Sequence, residues 1–316
     1  MCIRDSFSPD GKLLVTTSYD RICKIWRLED DQWQEKVTLQ HSEKYEPVKK
    51  ARFSPDGKHL VVVPDGDFVQ ILCLEDNQWQ EKVAINFDAR EVTNAQFSPD
   101  GKYLVVAFWN GDVKIWELDD GQWGEKFFIP HRFCVGDACF SPDGKHLVTV
   151  ICGLTRVCDF HYATLWELVE DQSQEKVTSQ QWQEKATIEH SGIVNSVHFS
   201  LDGKHFVTAS HDGTVKICGL VDGKWQIKAS IWHSCPVGNA NFSRNGKFIV
   251  TTAYRDGITK ICRLADDKWQ EIATIEHSEA VTNARFGPDD YQFVTTSSDC
   301  TAKIWALKNK ENDDNS

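Results

Sequence analysis

The 316-residue sequence contains no apolar run approaching 18 residues, and this absence excludes a transmembrane helix. The first six residues, from Met1 to Ser6, lack the apolar core of a signal peptide. Glycine-rich phosphate loops and the spacings His-Glu-x-x-His and Cys-x-x-Cys are also missing. The common sequence signatures of nucleotide, zinc-protease and thiol-redox chemistry are therefore not available to this chain.

Basic residues are in deficit. Lys and Arg number 35 against 47 Asp and Glu, so the formal net charge is -12. This balance disfavours a nucleic-acid or anionic-membrane surface. The 11 cysteines are odd in number and too sparse for a disulfide scaffold. We therefore expect a cytoplasmic protein in a reducing compartment, with no cofactor.

A phrase of the type Phe-Ser-Pro-Asp-Gly-Lys recurs seven times along the chain. Successive copies are separated by 46, 44, 43, 59, 43 and 44 residues. A period of about 44 residues is typical of a supersecondary unit that is copied along the chain. The copies begin at Phe7, Phe53, Phe97, Phe140, Phe199, Phe242 and Phe286.

Each repeat is predicted to contain four short antiparallel strands. The repeated phrase forms a turn, because Pro fixes φ, Asp bonds nearby backbone and Gly tolerates positive φ. A β-branched run such as Leu14–Thr17 follows, then a tight turn such as Asp212-Gly213, and then a third strand such as Val113–Trp116. A fourth strand opens with Trp in six repeats, and packing at the edge of the core is the favoured role of these Trp residues. No segment has a helical period of useful length, so the fold class is all-β.

These repeats resemble those of the WD40 β-propeller family over roughly residues 7–307. The resemblance implies seven blades, followed by a polar, acidic tail at 308–316. It also implies a buried hydrogen-bond chain, which the last repeat retains in full as His277, Ser297, Asp299 and Trp305. In the fifth and sixth repeats, Cys218 and Cys262 take the place of the Trp, and we expect both thiols to be buried and inert.

The two ends of the chain do not complete the pattern. The last repeat lacks its fourth strand, so we expect incomplete ring closure. Residues 1–6 place Asp5 where other repeats carry Ala or Val, and we expect them to be a non-native leader of a chain that is a fragment of a longer protein. The alternative is a genuine short start with an incomplete blade. In either case, a partner strand donated in trans at the open seventh blade is a further expectation.

The fourth repeat is longer than the others and contains Cys152, Cys158 and His161. This spacing matches no common zinc site, so partly buried thiols are favoured over a metal. We therefore predict no metal ligands and no catalytic residues.

The resemblance implies that partners contact the turn between the second and third strands. Aromatic residues in such turns are typical of binding hot spots. For Phe108 and Trp109, local packing in place of the missing polar chain is an equal alternative. The candidate partner-binding residues are Tyr19, Phe108, Trp109, Asp159, Phe160, His211, Arg255 and Ser298.

We therefore expect a non-catalytic scaffold that presents a rigid face to a protein or peptide. A basic partner is favoured by the acidic composition. The alternative is the C-terminal substrate-recruiting domain of a larger regulatory protein linked to an F-box, a kinase or an NTPase. A propeller enzyme is a remote alternative.

Overall fold

The computed structural model describes residues 4–17, 22–30, 32–40, 48–76, 78–87, 91–151, 161–171, 179–266, 268–287, 290–299 and 301–307. These residues form 27 β-strands in seven consecutive antiparallel sheets. No helix occurs in the described part of the chain, and none of its elements is therefore a helix long and apolar enough to cross a membrane. The predicted all-β class with seven blades is confirmed.

The strands of the first three sheets follow the chain in order. Sheet 1 contains β1 (Arg4–Phe7), β2 (Leu13–Thr17), β3 (Ile22–Glu29) and β4 (Gln32–Gln40). Sheet 2 contains β5 (Val48–Phe53), β6 (His59–Pro64), β7 (Phe68–Glu75) and β8 (Gln78–Asn86). Sheet 3 contains β9 (Val92–Phe97), β10 (Tyr103–Phe108), β11 (Asp112–Asp119) and β12 (Gln122–Pro130).

Three more sheets have the same four-stranded order. Sheet 4 contains β13 (Val135–Phe140), β14 (His146–Ile151), β15 (His161–Asp171) and β16 (Ser179–His190). Sheet 5 contains β17 (Val194–Phe199), β18 (His205–Ser210), β19 (Thr214–Val221) and β20 (Lys224–Trp232). Sheet 6 contains β21 (Val237–Phe242), β22 (Phe248–Ala253), β23 (Ile258–Ala265) and β24 (Lys268–Glu276).

The seventh sheet has three strands among the described residues. They are β25 (Val281–Phe286), β26 (Gln292–Ser297) and β27 (Ala302–Ala306). The predicted absence of a fourth strand from the last blade is therefore confirmed. At the other end, part of the predicted leader is structured: Asp5 pairs with Thr16 and Ser6 with Val15 as β1 joins β2.

Two compact units divide the chain: residues 1–149 with 167–183, and residues 150–166 with 184–316. In the first unit, sheets 2 and 3 share a core in which Val61 and Ile71 lie with Leu104 and Phe108. In the second unit, Val207 and Ile217 of sheet 5 pack with Ala240 and Ile249 of sheet 6. The second strands of these four sheets are buried almost continuously, so both of their faces are covered.

The repeated phrase forms the predicted turn. In repeat 2, for example, the Ser54 hydroxyl donates to Asp56, the Gly57 amide donates to the Ser54 carbonyl, and Gly57 has a φ of 69°. In six of the seven repeats, the Phe that opens the phrase contacts the Trp near the start of the fourth strand, with ring centroids 5.7–6.5 Å apart. These pairs are Phe7–Trp33, Phe53–Trp79, Phe97–Trp123, Phe140–Trp182, Phe199–Trp225 and Phe242–Trp269. Packing at the core edge, the favoured role of these Trp residues, is confirmed.

Candidate interaction surface

The first residue after the second strand occupies an equivalent place in several repeats, which we call the turn position. Its backbone amide donates to a carbonyl just before the first strand of the same sheet, over 2.8–2.9 Å. Trp109 donates to Glu91, His211 to Ile193, Tyr254 to Pro236, and Ser298 to Ala280. All four side chains are exposed. The strands therefore fix the backbone at this position and leave the side chain available for contact.

Four of the eight predicted contact residues lie on this surface: Trp109, His211, Ser298 and, beside the turn position, Arg255. Trp109 is 42% exposed. Tyr19, Asp159 and Phe160 lie outside the described residues. The predicted polar tail at 308–316 and the thiols Cys152 and Cys158 lie outside them as well.

Phe108 was wrongly predicted as a contact residue, because its side chain is fully buried. Its ring meets Phe87 edge-on at 4.7 Å, and Phe87 also contacts the Trp116 ring at 6.1 Å. Phe87 stands where other repeats carry a buried His, and Val106 stands where they carry Thr. An aromatic cluster thus replaces the polar chain in repeat 3, and it leaves the buried Trp116 indole nitrogen without a hydrogen-bond partner.

In repeat 6 the turn position belongs to Tyr254, a residue that the sequence analysis did not select. The turn between β22 and β23 has one residue more than the turn between β18 and β19, as shown by the pairs Thr252–Thr259 and Ala209–Val215 that flank them. Arg255 is the neighbour that follows Tyr254. Arg255 directly precedes Asp256, the acid that corresponds to Asp212 of repeat 5, whereas the backbone bond to Pro236 identifies Tyr254 as the residue at the turn position.

His211 and Tyr254 join sheets 5 and 6 at the turn surface. Their rings meet edge to face, with centroids 6.0 Å apart and an interplanar angle of 86°. Gly238 lies beneath the Tyr254 ring, and a Cβ atom at Gly238 would come within 2.8 Å of two ring carbons. Partial burial, followed by the charge of the Arg255 guanidinium and then His161, lowers the pKa of His211.

The first unit presents a different kind of surface around Trp109. The Lys49 ammonium pairs with Asp65 at 2.6 Å and with Glu91 at 2.8 Å. Burial would lower the pKa of Lys49, but the two carboxylates raise it overall. Two acids therefore share one lysine in this cluster, and one of them, Glu91, accepts the Trp109 backbone amide through its carbonyl.

The buried hydrogen-bond chain of the seventh repeat uses Thr295 in place of the predicted Ser297. The Thr295 hydroxyl lies 2.7 Å from His277 Nε2 and accepts from Trp305 Nε1 at 2.8 Å. His277 Nδ1 is 3.3 Å from Asp299. Ser297 lies two residues nearer to the turn and donates to the Glu279 carbonyl, so it does not bridge the two rings.

Repeat 5 has the same arrangement, with His190 between Thr208 at 2.8 Å and Asp212 at 3.0 Å. Burial would raise the pKa of Asp212, but hydrogen bonds from Thr214 and His190 lower it to about 2. Cys218 fills the place of the Trp. It is buried, as predicted, and burial raises the pKa of its thiol to about 12. Cys262 in repeat 6 is also buried, and burial raises its pKa to about 12 as well.

Ser210, His211 and Asp212, which are adjacent in sequence, do not assemble a nucleophilic triad. The imidazole that contacts Asp212 belongs to His190, and the Ser210 hydroxyl donates to the Gly192 carbonyl. Within the described residues, no group of three or more His, Cys, Asp or Glu side chains has the geometry to hold a metal ion.

Two family models match the chain. The model described as WD domain, G-beta repeat matches residues 1–27, 182–218 and 269–306, and the model described as Eukaryotic translation initiation factor eIF2A matches residues 15–166. No curated protein matches. The three WD matches and the seven consecutive sheets together support a WD40-repeat β-propeller. The three WD segments include Trp26, His190 and His277, each of which bonds the Thr of its own repeat (Thr16, Thr208 and Thr295).

Proposed function

We propose that this propeller is a non-catalytic scaffold that binds a protein or peptide through its turn positions. WD40 propellers commonly mediate protein–protein interactions and are generally non-catalytic. The observation that carries the proposal is the repeated, backbone-anchored exposure of large side chains at Trp109, His211 and Tyr254. Trp and Tyr are the residue types most enriched at binding hot spots.

In the first unit, the surroundings of Trp109 favour a basic partner. Glu91, whose carbonyl accepts the Trp109 amide, shares Lys49 with Asp65, and the net charge of -12 would speed the approach of a cationic segment. The apolar ring of Trp109 would pack on the methylene chain of a Lys or Arg side chain, or hold its charge by a cation–π contact.

The test is a binding measurement on a partner captured with the intact chain and then purified. Trp109→Ala is expected to weaken binding about tenfold or more. Trp33→Ala is the matched control, because Trp33 is 39% exposed against 42% for Trp109 but lies on a fourth strand in the same unit. Equal effects of the two substitutions would locate the binding site elsewhere.

The same surface would also serve a substrate-recruiting domain of a larger regulatory protein. A long read through the native gene tests this form of the proposal. An in-frame F-box, kinase or NTPase segment upstream of the codon for Phe7 would support it, and an in-frame stop codon directly upstream of a genuine start at Met1 would contradict it.

A second binding mode is addition of a strand at β27. Val294 and Ile304 pair across β26 and β27 and are 38% and 78% exposed, whereas the equivalent pair Val250 and Ile261 in sheet 6 is buried. In the described part of the chain no fourth strand pairs with β27, so its edge carries free backbone groups. We propose that this edge accepts a strand in trans.

A labelled peptide with the sequence of β24, Lys268–Glu276, is the probe for this mode. Binding is expected for this peptide and not for a variant that carries Pro at its centre, because Pro removes a ladder donor. Equal binding of both peptides, or of neither, would contradict strand addition.

A further inference from the structure

His211, Tyr254 and Arg255 form a compact group of exposed cationic and aromatic side chains in the second unit. The His211 and Tyr254 rings are in contact, and Arg255 directly follows Tyr254 in an exposed turn. The guanidinium of Arg255 is close enough to His211 to lower the pKa of its imidazole. In a chain with a net charge of -12, this turn surface thus combines one exposed cation, Arg255, with two rings that contact each other.

The carboxylates nearest in sequence already have other partners. Asp212 accepts from the Thr214 hydroxyl at 2.6 Å and lies 3.0 Å from His190. Asp256 accepts from the Ser234 hydroxyl at 2.8 Å and from the Ile258 amide at 3.0 Å. Among the residues that the structure describes, no carboxylate lies within ion-pair distance of Arg255. Within that part of the chain, the guanidinium has no acidic partner and can bind a ligand.

The Tyr254 backbone is fixed beside this cation. Its amide donates to the Pro236 carbonyl at 2.9 Å, and its ring lies over Gly238, where a Cβ atom would come within 2.8 Å of two ring carbons. A fixed aromatic wall beside a free guanidinium can contact the apolar flank of a peptide while the guanidinium binds an anionic group.

We propose that His211, Tyr254 and Arg255 bind a carboxylate or phosphate group on a partner peptide. The inference rests on the proposed function, because it assigns a ligand chemistry to turn positions of the same kind. It differs from the Trp109 surface, where the excess of acids favours a basic segment. Arg255 supplies the paired donors that planar anions accept, and Tyr254 packs against the residue next to the anion.

The test uses fluorescein-labelled peptides with identical apolar flanks and phosphoserine, glutamate, serine or lysine at the centre. At low ionic strength, anisotropy titrations should show the phosphoserine or the glutamate peptide binding at least about tenfold more tightly than the serine and lysine peptides. Preference for phosphoserine over glutamate would identify phosphate as the source of the anion, and the reverse would identify a carboxylate. Equal binding of the serine peptide would overturn the proposal.

Substitutions locate the site. Arg255→Ala is expected to remove the preference for the anionic peptides, and Arg255→Lys to retain part of it, since Lys keeps the charge but loses the paired donors. Arg244→Ala is the matched control, because Arg244 is exposed in the turn at the other end of β22 in the same sheet. If Arg244→Ala weakens binding as much as Arg255→Ala does, the effect is one of general charge and the site is refuted.

The outcome is separable from that of the proposed function. If Trp109→Ala leaves the affinity for the purified partner unchanged, the proposed scaffold surface of the first unit is refuted. The peptide titrations would still test the role of Arg255. Failure of both anionic peptides to bind at concentrations up to about 1 mM would overturn the anion site and leave the Trp109 result intact.

Discussion

At the scale of single residues, one hydroxyl connects two buried rings in the seventh repeat. Thr295 is fully buried and serves both His277 and Trp305. Repeat 1 uses Thr16 in the same way for Trp26, at 3.0 Å. In repeat 3 the place is taken by Val106, and the Trp116 nitrogen is left without a hydrogen-bond partner. The hydroxyl therefore determines whether the indole N–H has an acceptor.

Thr295→Val is expected to destabilise the chain by about 2 kcal/mol, because it leaves two buried ring nitrogens without their partner. Ser297→Ala removes a bond to the Glu279 carbonyl at 3.1 Å and one from the Asp299 amide at 3.2 Å, and it is expected to cost about 1 kcal/mol, because both bonds are long and only partly buried. Denaturant unfolding of both variants provides the comparison. A larger loss for Ser297→Ala would restore the role that the sequence suggested for Ser297.

Val106→Thr is the reverse experiment. Burying a hydroxyl without a partner usually costs about 1–3 kcal/mol, but here the Trp116 indole can donate to it. We expect a change in unfolding free energy within about 0.5 kcal/mol of zero. A loss of about 1–3 kcal/mol, the cost of burying an unpaired hydroxyl, would show that the Trp116 nitrogen cannot reach position 106.

The identity of the bridging hydroxyl was not predictable from the sequence pattern alone. Thr295 and Ser297 both alternate onto one face of β26, and only the reach of the His277 and Trp305 rings selects the first. The same limit applies to Phe108 and Trp109. Adjacent residues on a strand face opposite sides, but which side is buried depends on Phe87, a residue about 20 positions earlier.

At the scale of elements, the hairpin turns between second and third strands support the neighbouring loop. Gly213 has a φ of 81°, and its carbonyl accepts from the His233 amide at 2.8 Å. A Cβ at Gly213 would lie 2.8 Å from the His233 carbonyl oxygen. Gly223 has a similar φ of 75° but nothing within 4 Å of a Cβ. Substitution of Gly223 therefore tests the cost of positive φ alone, whereas substitution of Gly213 tests positive φ together with a steric collision.

Gly223→Ala is expected to cost about 1 kcal/mol, the cost of positive φ alone. Gly213→Ala adds a collision with backbone and is expected to cost about 2 kcal/mol more. The thermal midpoints of both variants test this ranking. Equal losses would mean that the loop carrying His233 moves away without cost.

Strand order and turn chemistry were predictable because both are local. The period of about 44 residues, the Pro-Asp-Gly turns and the Trp at the start of each fourth strand all follow from short-range patterns. The extra residue in the turn of repeat 6 was not predictable, because Asp256 still aligns with the turn Asp of the other repeats and the insertion lies before it. Only the register of β22 and β23 shows that Tyr254, and not Arg255, holds the turn position.

At the scale of the whole molecule, buried histidines make stability depend on pH. Burial lowers the pKa of His131 to about 4 and that of His233 to about 4, against 6.5 in an unfolded chain. The unfolded state therefore binds more protons between these values, and stability is lost as the pH falls from about 6.5 towards 4. Asp212, whose pKa is lowered to about 2 from 3.8, loses its contribution only in stronger acid.

A change in unfolding free energy between pH 7 and pH 5 thus reports mainly on the histidines, since most carboxylates titrate below pH 5. His131 and His233 are each expected to remove roughly 1–2 kcal/mol of stability over this interval. His233→Phe should reduce the pH dependence by the share of one histidine, whatever its effect at pH 7, because the comparison is made within each variant. Phe is the replacement of choice, as Phe87 already occupies the equivalent place in repeat 3. Urea unfolding at both pH values gives the measurement, and an unchanged pH dependence in the variant would show that His233 becomes protonated without loss of structure.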